Sequence, residues 1–147
     1  MRRLGLAVAL PVAVAVAVAV AGCGSSGTSD KEYRDKANAI CASIKSQRDR
    51  LPPASNIEEL KAVARSTIAI NTEALSKFKA LDPPGELKSP HTVIVTRLGE
   101  TLKLQQQALT TDPKSTAMQQ INVKAGQARA ALLAAAQQAK LPACEQL

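Results

Sequence analysis

Aromatic side chains are almost absent: Tyr33 and Phe78 are the only two, and there is no Trp. An all-β sandwich draws on aromatic and β-branched residues. Most of the Val here falls in the first twenty positions, so that class is disfavoured. The same scarcity leaves almost nothing for bases to stack on, which argues against nucleic acid as a partner despite the basic balance. Histidine is reduced to His91, too little for a His-based metal or catalytic site. The signatures H-E-x-x-H, G-x-S-x-G, C-x-x-C, the E-x-x-H of di-metal bundles and the glycine loops of nucleotide sites are all missing. Glu58 and Glu59 are adjacent and would face different ways on a helix, so they fit a helix first turn better than an acid/base pair. His91 reads as a solvated surface residue. These absences point away from an enzyme and call for no cofactor and no metal.

What remains is a chain of 147 residues, 46% hydrophobic, with 19 Lys and Arg against 12 Asp and Glu. That is one small domain with enough apolar content to escape wholesale disorder. Its N-terminus has the layout of an export signal: Arg2 and Arg3, an apolar run from Leu4 to Ala21, then Val20-Ala21-Gly22-Cys23. This last segment resembles the bacterial lipobox, whose Cys is acylated and whose signal is cut just before it. The resemblance implies a signal peptide over 1–22, a lipidated Cys23, and a flexible tether through the Gly and Ser of 23–29. Two or three acyl chains on Cys23 would anchor the protein stably to the outer face of the cell membrane. An uncleaved anchor is the alternative, since the apolar run is just long enough to span a bilayer. The run ends, however, in Gly22-Cys23-Gly24-Ser25-Ser26-Gly27 rather than in basic residues.

With Cys23 assigned to lipid by that resemblance, Cys41 and Cys144 remain. Outside the cytoplasm an even pair favours a disulfide; two separate thiols, one buried and one exposed, are the other possibility. Pairing also needs the chain to double back after Pro142, because a tail running straight on would carry Cys144 away from Cys41.

From Ser29 onward the apolar spacing is helical. Ser29-Asp30-Lys31-Glu32 is a capping box, and Tyr33, Ala37, Ile40, Cys41 and Ile44 follow at three-four spacing until Pro52-Pro53. Asn56 opens a second helix with an apolar face from Ile57 and Leu60 to Phe78 and Leu81, closed by Asp82-Pro83-Pro84-Gly85. A third starts near Ser89-Pro90 and carries Ile94, Leu98, Leu102 and Leu109; Asp112-Pro113 starts an Ala-rich fourth that Leu141-Pro142 stops. The expected helices are 30–51, 57–81, 89–111 and 113–140, forming over 30–147 an all-α, antiparallel, up-down-up-down four-helix bundle.

The lipobox, the Gly/Ser tether, Y-R-D-K-A-N-A-I-C at Tyr33 to Cys41, the mid-chain L-D-P-P and the closing L-P-A-C together resemble the small secreted lipoproteins common in actinobacteria. That group implies a fold and a location but no assigned activity. Two functions follow as expectations. The first is a non-enzymatic structural or protein-interaction module of the envelope, partnered by the membrane through its anchor and by an envelope protein or anionic polymer. The second is a carrier holding an apolar or lipid-like ligand between the helices. A protein-interaction module predicts a filled core and an exposed patch; a carrier predicts an apolar cavity of several hundred Å³. Lys31, Arg34, Lys36, Arg48, Arg50, Lys61 and Arg65 are the most clustered cations and the candidates for contact with an anionic surface.

Overall fold

The computed structural model describes residues 28–147; the expected signal peptide and Cys23 lie outside the described residues. These residues form an all-α fold of four helices with no strand among them: α1 (Asp30–Asp49), α2 (Ile57–Lys79), α3 (Lys88–Thr110) and α4 (Thr116–Ala139). Short 3-10 turns at Gly85–Leu87 and Cys144–Gln146 precede α3 and end the chain. Each helix packs against the next in sequence, and α1 also meets the C-terminal turn.

The caps explain the starts. The Glu32 N–H donates to Ser29 Oγ at 3.2 Å, and the Glu59 N–H to Asn56 Oδ1 at 2.9 Å, each satisfying a donor that the helix leaves free. Glu59 in turn accepts from the Ser55 N–H at 2.7 Å. The fourth helix departs from expectation by starting at Thr116 rather than at residue 113. Asp112 does not cap it: its Oδ1 accepts from the Lys114 N–H at 2.9 Å, closing a turn, and Ser115 Oγ takes over as cap by accepting from the Met118 N–H at 3.1 Å. The third helix starts one residue early, with Pro90 inside its first turn, because the Gly85–Leu87 turn runs straight into it.

The end of α4 decides the path of the tail. Lys140 adopts the left-handed conformation (φ 57°, ψ 55°), the Leu141 N–H donates to Ala136 O at 2.9 Å and the Lys140 N–H to Gln137 O at 3.0 Å. This pair of bonds is a Schellman reversal. It turns the chain back before Pro142 and buries Leu141 completely. The returning tail is tied to α1: the Ala143 N–H donates to Asn38 Oδ1 and Arg34 Nε to Ala139 O, both at 3.0 Å. Cys41 and Cys144 form the disulfide, with Cα atoms 5.0 Å apart.

Core burial is concentrated at this end. Tyr33, Ala37, Cys41 and Ile44 of α1 meet Phe78, Ala74 and Ile70 of α2, Ile94 and Leu98 of α3, and Ala135, Ala136 and Ala139 of α4. In α2 no residue before Ile70 is buried, and in α4 none before Ala128. The expected apolar face of α2 is therefore only half used, with Ile57 and Leu60 still more than half exposed. The physical reason is the length of α1. Its penultimate residue, Arg48, lies level with Asn71, so about four turns of α2, Ile57 to Ile70, extend past it without a helix on that side.

His91 also departs from expectation. It is a core residue, 9% exposed, rather than a solvated one, because its ring packs edge-on to Tyr33 and its Nδ1 lies 3.1 Å from the Tyr33 hydroxyl.

Candidate functional site

Where α1 stops, the bundle opens into a cleft with a volume of about 510 Å³. Its walls come from all four helices and the tail: Ile44 and Arg48 of α1, Thr67 and Asn71 of α2, Leu98, Thr101 and Gln105 of α3, Ala125, Gly126, Arg129, Leu132 and Leu133 of α4, and Leu147. A second hollow of about 420 Å³ is mostly apolar, lined by Ile57, Leu60, Ala64, Ala108, Leu109, Pro113 and Met118, with Lys61, Thr67, Gln105 and Thr111 as its polar residues. Thr67 and Gln105 line both, so the two adjoin along the uncovered part of α2 and α3.

A polar relay fixes the inner end. Arg48 Nη2 donates to Asn71 Oδ1 at 2.8 Å, and Asn71 Nδ2 donates to Gln105 Oε1 at 2.9 Å, linking α1, α2 and α3 at one level. Asn71 is 1% exposed, and both its bonds are needed to offset burial of the amide. Arg48 Nε is buried with no acceptor, a loss that ordinarily costs about 1–3 kcal/mol. Burial lowers the Arg48 guanidinium from its ordinary pKa, and the positive charge of Arg129 lowers it further. The guanidinium stays charged at neutral pH nonetheless. The cleft thus has two cationic residues, Arg48 and the exposed Arg129, in its lining beside an apolar wall.

The other candidate cations are arranged differently. Lys31 pairs with Asp35, Arg34 with Asp30, Lys36 with Glu32 and Lys61 with Glu58, each along its own helix. Such exposed pairs contribute little to stability and lower the local excess of positive charge. Arg50 and Arg65 are exposed, and Arg48 alone of the seven is turned into the cleft. An isolated Arg among the alanines of α4, Arg129 carries no signal in the sequence; only its place in the same cleft as Arg48 distinguishes it.

Among the described residues no three His, Cys, Asp or Glu side chains are grouped so that they could hold a metal ion. Cys41 and Cys144 are bonded to each other, and Nδ1 of His91 is occupied by Tyr33. Nor, among the described residues, is any helix long and apolar enough to cross a membrane. The chain matches no protein-family model, no curated protein and no solved structure.

Proposed function

We propose that the protein is an envelope lipoprotein, exported on residues 1–22 and held by an acylated Cys23 at the outer face of the cell membrane, whose helical domain binds an apolar or lipid-like ligand and catalyses nothing. The observation that carries this reading is the open half of the bundle, where a cleft of about 510 Å³ adjoins an apolar hollow of about 420 Å³. Both fall in the range of small-molecule sites. A chain selected only for packing would be expected to cover Ile57 and Leu60 with a longer α1. The anchor rests on Val20-Ala21-Gly22-Cys23, and an oxidised Cys41–Cys144 pair fits an exported domain. We read the sequential packing of the helices as up-down-up-down order, since their connections are too short for a crossover along the bundle.

The protein-interaction reading draws support from the exposed Ile57, Leu60 and Val123, which a partner in the envelope would cover. One experiment separates the two. Intact mass of the protein, released gently from its native membrane, should match residues 23–147 plus acyl chains and carry a non-covalent adduct of lipid size. An unacylated or full-length mass sinks the anchor, and a protein co-released without any small adduct favours the interaction module.

A further inference from the structure

The cleft has a charged inner end. Seven basic residues of the domain pair with an acid three or four positions away on their own helix; Arg48 and Arg129 are among the described cations that make no ion pair, and they are the two that line this cleft. No Asp or Glu side chain lines the cleft. Their like charges repel, with Arg48 half-buried and Arg129 exposed, and an anion joining them would relieve this.

The hydrogen-bonding capacity of the cleft is also one-sided. Arg48 is held by Asn71 through Nη2, which leaves the rest of its guanidinium edge for a guest; its unpaired Nε–H is fully buried and out of a guest's reach. Gln105 uses its Oε1 to accept from Asn71, so its amide N–H groups remain for a guest. The hydroxyls of Thr67 and Thr101 already donate to backbone carbonyls of their own helices, at 2.9 and 2.8 Å. The unused groups at this end are therefore mainly N–H donors carrying positive charge, the complement of an oxyanion. Away from it the walls turn apolar, through Leu132 and Leu133 in the cleft and Leu60 and Leu109 in the adjoining hollow.

We infer that the cleft binds a single-headed anionic amphiphile, its carboxylate or phosphate between Arg48 and Arg129 and its hydrocarbon chain along the apolar hollow. This rests on the ligand-binding reading above and deepens it by naming the class of ligand: a fatty acid and a simple alkyl phosphate share the chemistry. An uncharged lipid would leave both guanidiniums uncompensated, and a small inorganic anion would leave the apolar walls uncovered.

The test is calorimetric titration of the full chain in neutral phosphatidylcholine nanodiscs, with empty nanodiscs as reference, using decanoate, decyl phosphate, decanol and inorganic phosphate. Decanoate or decyl phosphate should bind at least about tenfold more tightly than decanol, the amount one well-placed charge-assisted contact supplies, and whichever is tighter identifies the head. Arg129→Gln, at an exposed position that does not threaten folding, should weaken the anionic probes at least about tenfold and leave decanol unchanged. Arg50→Gln, an exposed cation outside the cleft, should change nothing. Equal affinity for decanol and the anionic probes would overturn the head site while leaving the ligand-binding reading in place. No binding by any of the four would remove both. Inorganic phosphate binding as tightly as decyl phosphate, or an equal loss in Arg50→Gln, would reduce the effect to general attraction of anions and overturn the proposal.

Discussion

The Tyr33 hydroxyl and Nδ1 of His91 lie 3.1 Å apart between two rings packed edge to face with centroids 5.7 Å apart. Burial pushes the Tyr33 hydroxyl up to about 12, so it keeps its proton, and burial lowers the His91 imidazole. Among the described residues the hydroxyl has no other acceptor, so Tyr33 donates to Nδ1 and the histidine proton sits on Nε2.

A pH dependence of stability follows. The unfolded chain takes up a proton on His91 near the ordinary value of 6.5, while the folded chain resists until lower pH. In that window the unfolded state binds more protons, so stability rises with pH. The contribution is fully present above 6.5 and is lost as pH falls from there through the folded value. Urea denaturation at a series of pH values should show this slope in the native protein and a flatter one in His91→Phe. An unchanged slope in the variant would assign the acid sensitivity to other groups.

Removing the Tyr33 hydroxyl tests the same pair at neutral pH. Tyr33→Phe keeps the ring in the core but strips Nδ1 of its donor. The expected loss is about 1–3 kcal/mol, the usual range for a buried polar atom left without a partner. A loss below about 0.5 kcal/mol would mean that water replaces the hydroxyl.

Reducing the Cys41–Cys144 bond opens a loop spanning 103 positions. Chain entropy gives a loss of about 4–5 kcal/mol, a large share of the stability of a small domain. Because this acts on the unfolded chain, which becomes less compact, the denaturant slope should rise as the midpoint falls. A fall in midpoint at constant slope would locate the effect in the folded tail instead, where Ala143 bonds to Asn38 and Arg34 to Ala139.

Local chemistry was the legible part of this fold. Ser29 and Asn56 mark helix starts by their own side chains, and the proline pairs mark stops, so the four helices fall close to their expected ranges. Cysteine arithmetic reached the disulfide, though the reversal at Lys140 that permits it bears no glycine to announce it. Burial was less legible. The stripe from Ile57 to Phe78 reads as one continuous face, yet whether it is covered depends on how far α1 reaches, which its own periodicity does not say. His91 reads as solvated for a similar reason: its partner lies 58 positions away, and no spacing rule links them. The Arg48 and Arg129 pairing is likewise a product of packing, with the two residues on helices at opposite ends of the sequence.

Lys140 offers a gain in stability. It is the only non-glycine residue with positive φ among the described residues, and a β-carbon in the left-handed region is disfavoured by about 1–2 kcal/mol. Lys140→Gly should stabilise the protein by about 1 kcal/mol, with part of the relief offset by the greater freedom of glycine in the unfolded chain. Its side chain is exposed and accepts no role in the cleft, so ligand affinity should not move. Destabilisation in thermal or urea unfolding would mean that the lysine contributes a contact worth more than the backbone strain.

The uneven core predicts uneven stability along single helices. Phe78 is fully buried near one end of α2, whereas Ile57 at the other is 56% exposed. Phe78→Ala should cost about 3–5 kcal/mol, and Ile57→Ala should stay within about 0.5 kcal/mol. Hydrogen exchange should follow the same gradient: amides around Ile40 to Ile44, Ala74 to Phe78 and Leu132 to Ala136 open only with global unfolding, while those of α2 before Ile70 and of α4 before Ala128 exchange through local opening. A bound ligand covering the open half should then protect the second group far more than the first. Uniform protection along α2 in the free protein would mean that Ile57 to Ile70 is held by something other than burial, and the open half would lose its standing as the region that a ligand completes.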